Sequence, residues 1–186
     1  MFKRIGLVVL VLFVLIQFYR PDRNLSGNKE KDISVAYAVP ENVQQILTKA
    51  CNDCHSNTTA YPWYANVQPL TLWIDDHVKD GKRHMNFNEF AGYRIAKQYK
   101  KLEECMDEVK EGEMPLESYT LIHSNAKLTA DEKEAIYNWC TSVRDTIKAR
   151  YPADSLIIKK KGQEEKRVQE EKSVQEEGKI EANEKQ

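Results

Sequence analysis

The sequence has almost no excess of either charge: 28 lysines and arginines stand against 29 aspartates and glutamates, a formal net of −1 over 186 residues. A nucleic-acid binder needs a clear basic surplus, so that class of partner is excluded. Cysteine is scarce as well. Four residues are too few for a disulfide-built scaffold in a chain this long, and hydrophobic packing has to supply the stability. No alternating β-branched run precedes Cys51, which removes the strand that a thioredoxin-like dithiol would follow. The C-terminal end lacks an apolar seam. Its echo, Glu164 to Gln169 and then Glu170 to Gln175, rotates Val168, Val174 and Ile180 around a helix instead of aligning them for a coiled coil.

What is present divides the chain into an apolar head, a mixed middle and a charged end. The patterning predicts an all-α protein with a membrane anchor helix over 1–20, a linker over 21–38, a folded domain over 39–152 and a charged low-complexity tail over 153–186. The head is Met1-Phe2-Lys3-Arg4, then an apolar run from Ile5 to Ile16, then Gln17-Phe18-Tyr19-Arg20. A short basic stretch before an apolar run is an export signal. The nearest small-x-small pair, Ala36-Tyr37-Ala38, is too far along for ordinary cleavage, so the run is expected to stay as a single-pass anchor in a bacterial inner membrane. The short head is retained inside while the body crosses, which puts the domain in the periplasm. Residues 22 to 38, rich in Asn, Ser, Gly and mixed charge, read as a spacer lifting the domain from the lipid.

The domain is expected to open at Pro40 with a helix burying Val43, Ile46, Leu47 and Ala50. Asp75 to Gly81 closes a short helix with Gly81 as C-cap, and Lys82 to Phe87 follows as a loop. Asn88 caps a long helix over about Glu89 to Lys110, stopped by Gly112. Thr129 and Glu132 make a capping box for a last helix burying Ala135, Ile136, Trp139, Val143 and Ile147.

The first helix delivers Cys51-Asn52-Asp53-Cys54-His55. Two thiols at this spacing can each join one vinyl group of a haem, and the following histidine is left beneath the ring to take the iron. His55 is therefore the expected proximal ligand. For the sixth position Met114 leads, because a thioether held before a proline in a loop between helices gives a rigid His/Met site. His77 is the alternative, with His123, His84 and Met85 behind it. The aromatic blocks Tyr61-Pro62-Trp63-Tyr64 and Trp73 suit either a flat apolar guest or an ordinary core. Cys51, Cys54, His77 and His123 would also make a Cys2His2 zinc set, though at spacings wide for compact zinc modules. Cys105 and Cys140 fall on two helices expected to pack together, as a disulfide or as two small buried residues.

Taken together, Cys51 to Ser56, Tyr61 to Tyr64, Pro69, Trp73, His77-Val78, Gly81, Asn86-Phe87, Gly112 to Pro115, Tyr119, His123, Ala126, Leu128 and Trp139 resemble the small haem-binding domain proteins of Bacteroidetes-type bacteria. The resemblance covers about residues 40 to 145. It implies one covalent haem c per chain on a mostly helical, cytochrome c-like domain exported across the inner membrane. The family pattern has Leu where Met85 stands, which implies that Met85 is core. One-electron transfer with unidentified redox partner proteins is the expected function. A five-coordinate haem sensor or peroxidase-like enzyme and a structural zinc domain are the alternatives.

Overall fold

The computed structural model describes residues 2–158. Eight α-helices follow in order: α1 (Phe2–Ile16), α2 (Ile33–Ala36), α3 (Glu41–Ala50), α4 (Asn52–His55), α5 (Leu70–His84), α6 (Ile95–Glu111), α7 (Glu117–Ile122) and α8 (Ala130–Arg150). Short 3-10 turns at Trp63–Asn66, Phe87–Gly92, Ser124–Ala126 and Ala153–Leu156 join them. Among the described residues there is no strand, only an isolated bridge between Leu25 and Thr58. The all-α expectation holds.

The core is built where the apolar periodicity puts it. Val43, Ile46, Leu47 and Ala50 of α3, Leu102, Met106 and Val109 of α6, and Ile136, Trp139, Val143 and Ile147 of α8 are all buried in one cluster. Helix α8 packs against both α6 and α3. Its start is the expected capping box, with Thr129 Oγ1 accepting from Glu132 N and Glu132 Oε2 accepting from Thr129 N. Gly112 ends α6 in the left-handed region at φ 84°, which a residue without Cβ adopts at no steric cost. Of the tail expected over 153–186, the described part begins with a 3-10 turn whose Leu156 packs on the core. The charged repeat lies outside the described residues.

Three local expectations are corrected. The long helix does not start at Glu89: Phe87–Gly92 forms a 3-10 turn and α6 starts at Ile95. Asn88 is buried and its Oδ1 accepts from Asn57 N at 2.7 Å, so it is not free to cap, and Asn86 caps the turn instead. Nor does Gly81 end a helix, since α5 runs on to His84. Its lack of a side chain serves a close approach. A Cβ there would lie 2.7 Å from the Cys54 carbonyl oxygen and 2.9 Å from Cys54 Cβ. Gly81→Ala should therefore destabilise the protein. The helix-propensity gain of about 1 kcal/mol is outweighed by overpacking against backbone, about 3 kcal/mol. A urea midpoint lowered by the equivalent of about 2 kcal/mol checks this difference.

The third correction concerns residues 21–38, which do not stand off as a spacer. Asn24 donates from Nδ2 to Ser56 O at 2.9 Å and to Thr59 Oγ1 at 3.0 Å, while Thr59 N donates to Asn24 O. Asn57 Nδ2 donates to Asn28 O, and Asn88 Nδ2 to Asp32 Oδ2. Ile33 is buried in the core. The polar residues that give this segment a linker's composition are partners for buried asparagines, whose amide groups need hydrogen bonds.

The apolar helix is also shorter than the anchor expected over 1–20. Its 15 residues rise about 22 Å at 1.5 Å each, short of a hydrocarbon layer of about 30 Å. Among the described residues no helix is long and apolar enough to cross a membrane. No residue of α1 is buried by the rest of the chain.

Candidate functional site

Helix α3 ends at Ala50, and the chain turns through Cys51 into the single turn of α4. The turn closes on itself, since His55 N and Cys54 N both donate to Cys51 O. Helix α5 lies against it, brought in by Gly81. The result is a cleft of two adjoining lobes, of about 240 Å³ and 230 Å³. Cys51, His55 and Met114 line both lobes, and Cys54 and His77 line the first. Five of the residues singled out from sequence, Cys51, Cys54, His55, Met114 and His77, thus share one cleft, and His84 lines both of its lobes. Together the lobes reach the ~300–1,000 Å³ of small-molecule sites.

The imidazole of His55 is oriented by the backbone. Its Nδ1 lies 2.9 Å from Met85 O; a carbonyl only accepts, so Nδ1 carries the proton and donates. Nε2 is left with a free lone pair, the state a metal ligand requires. Burial also holds the His55 pKa below the ordinary histidine value, which favours the neutral ring. Met85 itself is a buried core residue, not a ligand. Its role at the site runs through its carbonyl, which no side-chain pattern announces.

Burial raises the pKa of both motif thiols, Cys54 to about 11 and Cys51 further still. A redox-active dithiol needs the opposite shift. Cys105 and Cys140 are free thiols.

Met114 is half-buried and packs against the core, its N–H donating to Glu108 O at 3.1 Å just after the Gly112 stop. His77 is fixed differently: Nδ1 donates to Trp73 O at 2.8 Å and the ring tilts against the Trp73 indole, centroids 4.3 Å apart. Trp73 and Trp63 are exposed rather than core. His84 is exposed, with Nε2 3.8 Å from Asp80 Oδ2.

His123 is committed elsewhere. Its Nε2 sits 2.7 Å from Tyr64 Oη, and its ring stacks on Tyr119 at 4.3 Å. Tyr119 in turn donates to Asp53 Oδ2 at 2.7 Å, while Asp53 Oδ1 accepts from Ala60 N. Burial and this bond to a carboxylate raise the Tyr119 pKa. The network ties α4 to α7, which directly follows the Met114 loop. Among the described residues no group of three or more His, Cys, Asp or Glu side chains is gathered to hold a metal ion. The Cys2His2 zinc set is therefore not assembled, because His123 is sequestered by two tyrosines.

The residues present fit a haem. The cleft walls are mostly apolar, with Ala50, Phe87, Val109, Pro115, Leu116 and Leu128 among them. His55 offers a lone pair, Met114 a thioether, and two thiols stand beside them. A family model described as a haem-binding domain matches residues 11–142. No curated protein and no solved structure matches the chain.

Proposed function

The chain belongs to the haem-binding domain family, and we propose that it holds one haem c covalently and transfers single electrons while tethered to a membrane. The observation that carries this reading is the His55 geometry within the cleft: an imidazole locked by Met85 O, lining the same cleft as two thiols and Met114. The iron of a bound haem supplies the one-electron couple. The Cys51 and Cys54 thiols would hold the haem by addition of each S–H across a vinyl double bond, with no net oxidation; His55 would hold the iron through Nε2, and Met114 would hold it through its thioether and raise the potential. The mostly apolar cleft would limit water at the iron, and Asp53 and Tyr119 hold the turn and the Met114 loop in register.

The apolar α1, none of it covered by the domain, supports a tether in a bacterial inner membrane with the domain in the periplasm. A helix this short is accommodated by snorkelling of Lys3 and Arg4 and by local thinning of the bilayer. The redox partners are proteins of that compartment. The test is persistence of haem peroxidase staining on the band after denaturing electrophoresis of protein matured with a cytochrome c assembly system. A band that loses its haem on denaturation would limit the function to non-covalent binding.

A further inference from the structure

Gln68 is a buried polar side chain, 1% exposed, and nearly all its hydrogen bonds go to the end of the apolar helix. Its N–H donates to Gln17 Oε1 at 2.9 Å, its carbonyl accepts from Gln17 Nε2 at 3.3 Å, and its own Nε2 donates to Tyr19 O at 2.8 Å. Arg23 reinforces the join, hydrogen-bonded to Asn66 with its guanidinium 4.8 Å above the Tyr61 ring. The apolar helix is thus clamped to the loop 61–69 instead of hanging from a free tether.

That loop and the start of α5 carry an exposed apolar surface. Trp63 is 79% exposed, and Leu70 and Trp73 are exposed along α5 beyond it. Phe18 and Tyr19 are exposed at the junction itself, flanked by exposed Arg20 and Arg23. We propose that this surface is a bilayer seat: Trp63, Leu70 and Trp73, with Phe18 and Tyr19, lie in the lipid headgroup and upper acyl region. The proposal rests on the tether reading. Three observations favour lipid over another occupant.

The patch is continuous with α1, which is itself wholly uncovered. A helix of about 22 Å has no slack in a layer of about 30 Å, so whatever is clamped to its end is drawn into the interface. Exposed indoles beside arginines have the composition of an interfacial belt next to anionic headgroups. The seat also fixes the cleft. Along α5, His77 is one turn beyond Trp73 and Gly81 one turn beyond His77, so the haem site stands directly above the lipid surface.

The test uses the full chain reconstituted in vesicles of phosphatidylcholine and phosphatidylglycerol, with acyl chains brominated near the headgroup as quencher. Flotation with the vesicles together with loss of tryptophan emission is expected. Trp63→Phe combined with Trp73→Phe should abolish the quenchable emission while flotation persists, leaving only buried Trp139. Gln68→Ala should give flotation with weakened quenching; if that variant does not fold, the paired tryptophan variant decides. Flotation with unquenched Trp63 overturns the seat and leaves the tether standing, as does crosslinking that shows Trp63 covered by a second copy of the chain. Failure to float in any preparation overturns both.

Discussion

Changing Cys51 and Cys54 together to alanine leaves a protein that no longer stains for haem after denaturation, whereas changing Cys105 and Cys140 together leaves the stain in place. The distinction is not proximity alone, since Cys105 also lines one lobe of the cleft. What separates the pairs is chain geometry. Cys51 and Cys54 sit on one turn with His55 directly after, so two thioethers and an iron bond could be made from a single rigid piece. Cys105 and Cys140 lie on two different helices, α6 and α8, which pack against each other. The expected effect is complete: no covalent haem in the first variant against a wild-type level in the second. The single variants Cys51→Ala and Cys54→Ala should each keep at most one thioether, read as a shifted alkaline pyridine haemochrome band. Normal staining in the Cys51/Cys54 double variant would end the covalent reading.

Met114→Ala should abolish the weak near-infrared sulfur-to-iron band of the oxidised protein and open the iron to cyanide and carbon monoxide. A thioether favours ferrous iron, so the potential should fall by on the order of 0.1 V, within the ~0.8 V over which axial ligands tune haem. His77→Ala should change none of these. Met114 lines both lobes of the cleft and His77 only the first, where its ring lies against the Trp73 indole with Nδ1 donating to Trp73 O and Nε2 left free. The opposite result, an unchanged spectrum in Met114→Ala with a five-coordinate haem in His77→Ala, would make the pair bis-histidine. Which of the two variants binds carbon monoxide in the reduced state distinguishes the two outcomes directly.

The helical frame and the cleft residues are legible in the sequence because they rest on local rules. Three- and four-residue apolar spacing gives α3, α6 and α8, Thr129 and Glu132 mark a start, and the pentapeptide names the attachment turn. What escapes are features decided by partners distant in sequence. Gly81 has the composition of a helix stop, yet its role is contact with Cys54, 27 residues earlier. Asn88 has the composition of a cap, yet its oxygen is taken by Asn57 N. Residues 22 to 38 are polar like a spacer because their partners are buried asparagines. Asp53 could have been noticed as an acid inside the motif, but nothing local announces Tyr119 as its donor.

The docked N-terminal segment sets an order in time. Trp139 Nε1 donates to Ala38 O across 101 residues, and α3 finds its packing face on α8. Helix α3 therefore lacks its packing face on α8 until that helix has been made. Long-range closures of this kind are slow and leave early apolar surface uncovered. Here the waiting interval coincides with the period in which Cys51 and Cys54, half-buried in the finished fold, are most reachable. The turn from Cys51 to His55 directly follows α3, so it stays open until α8 arrives.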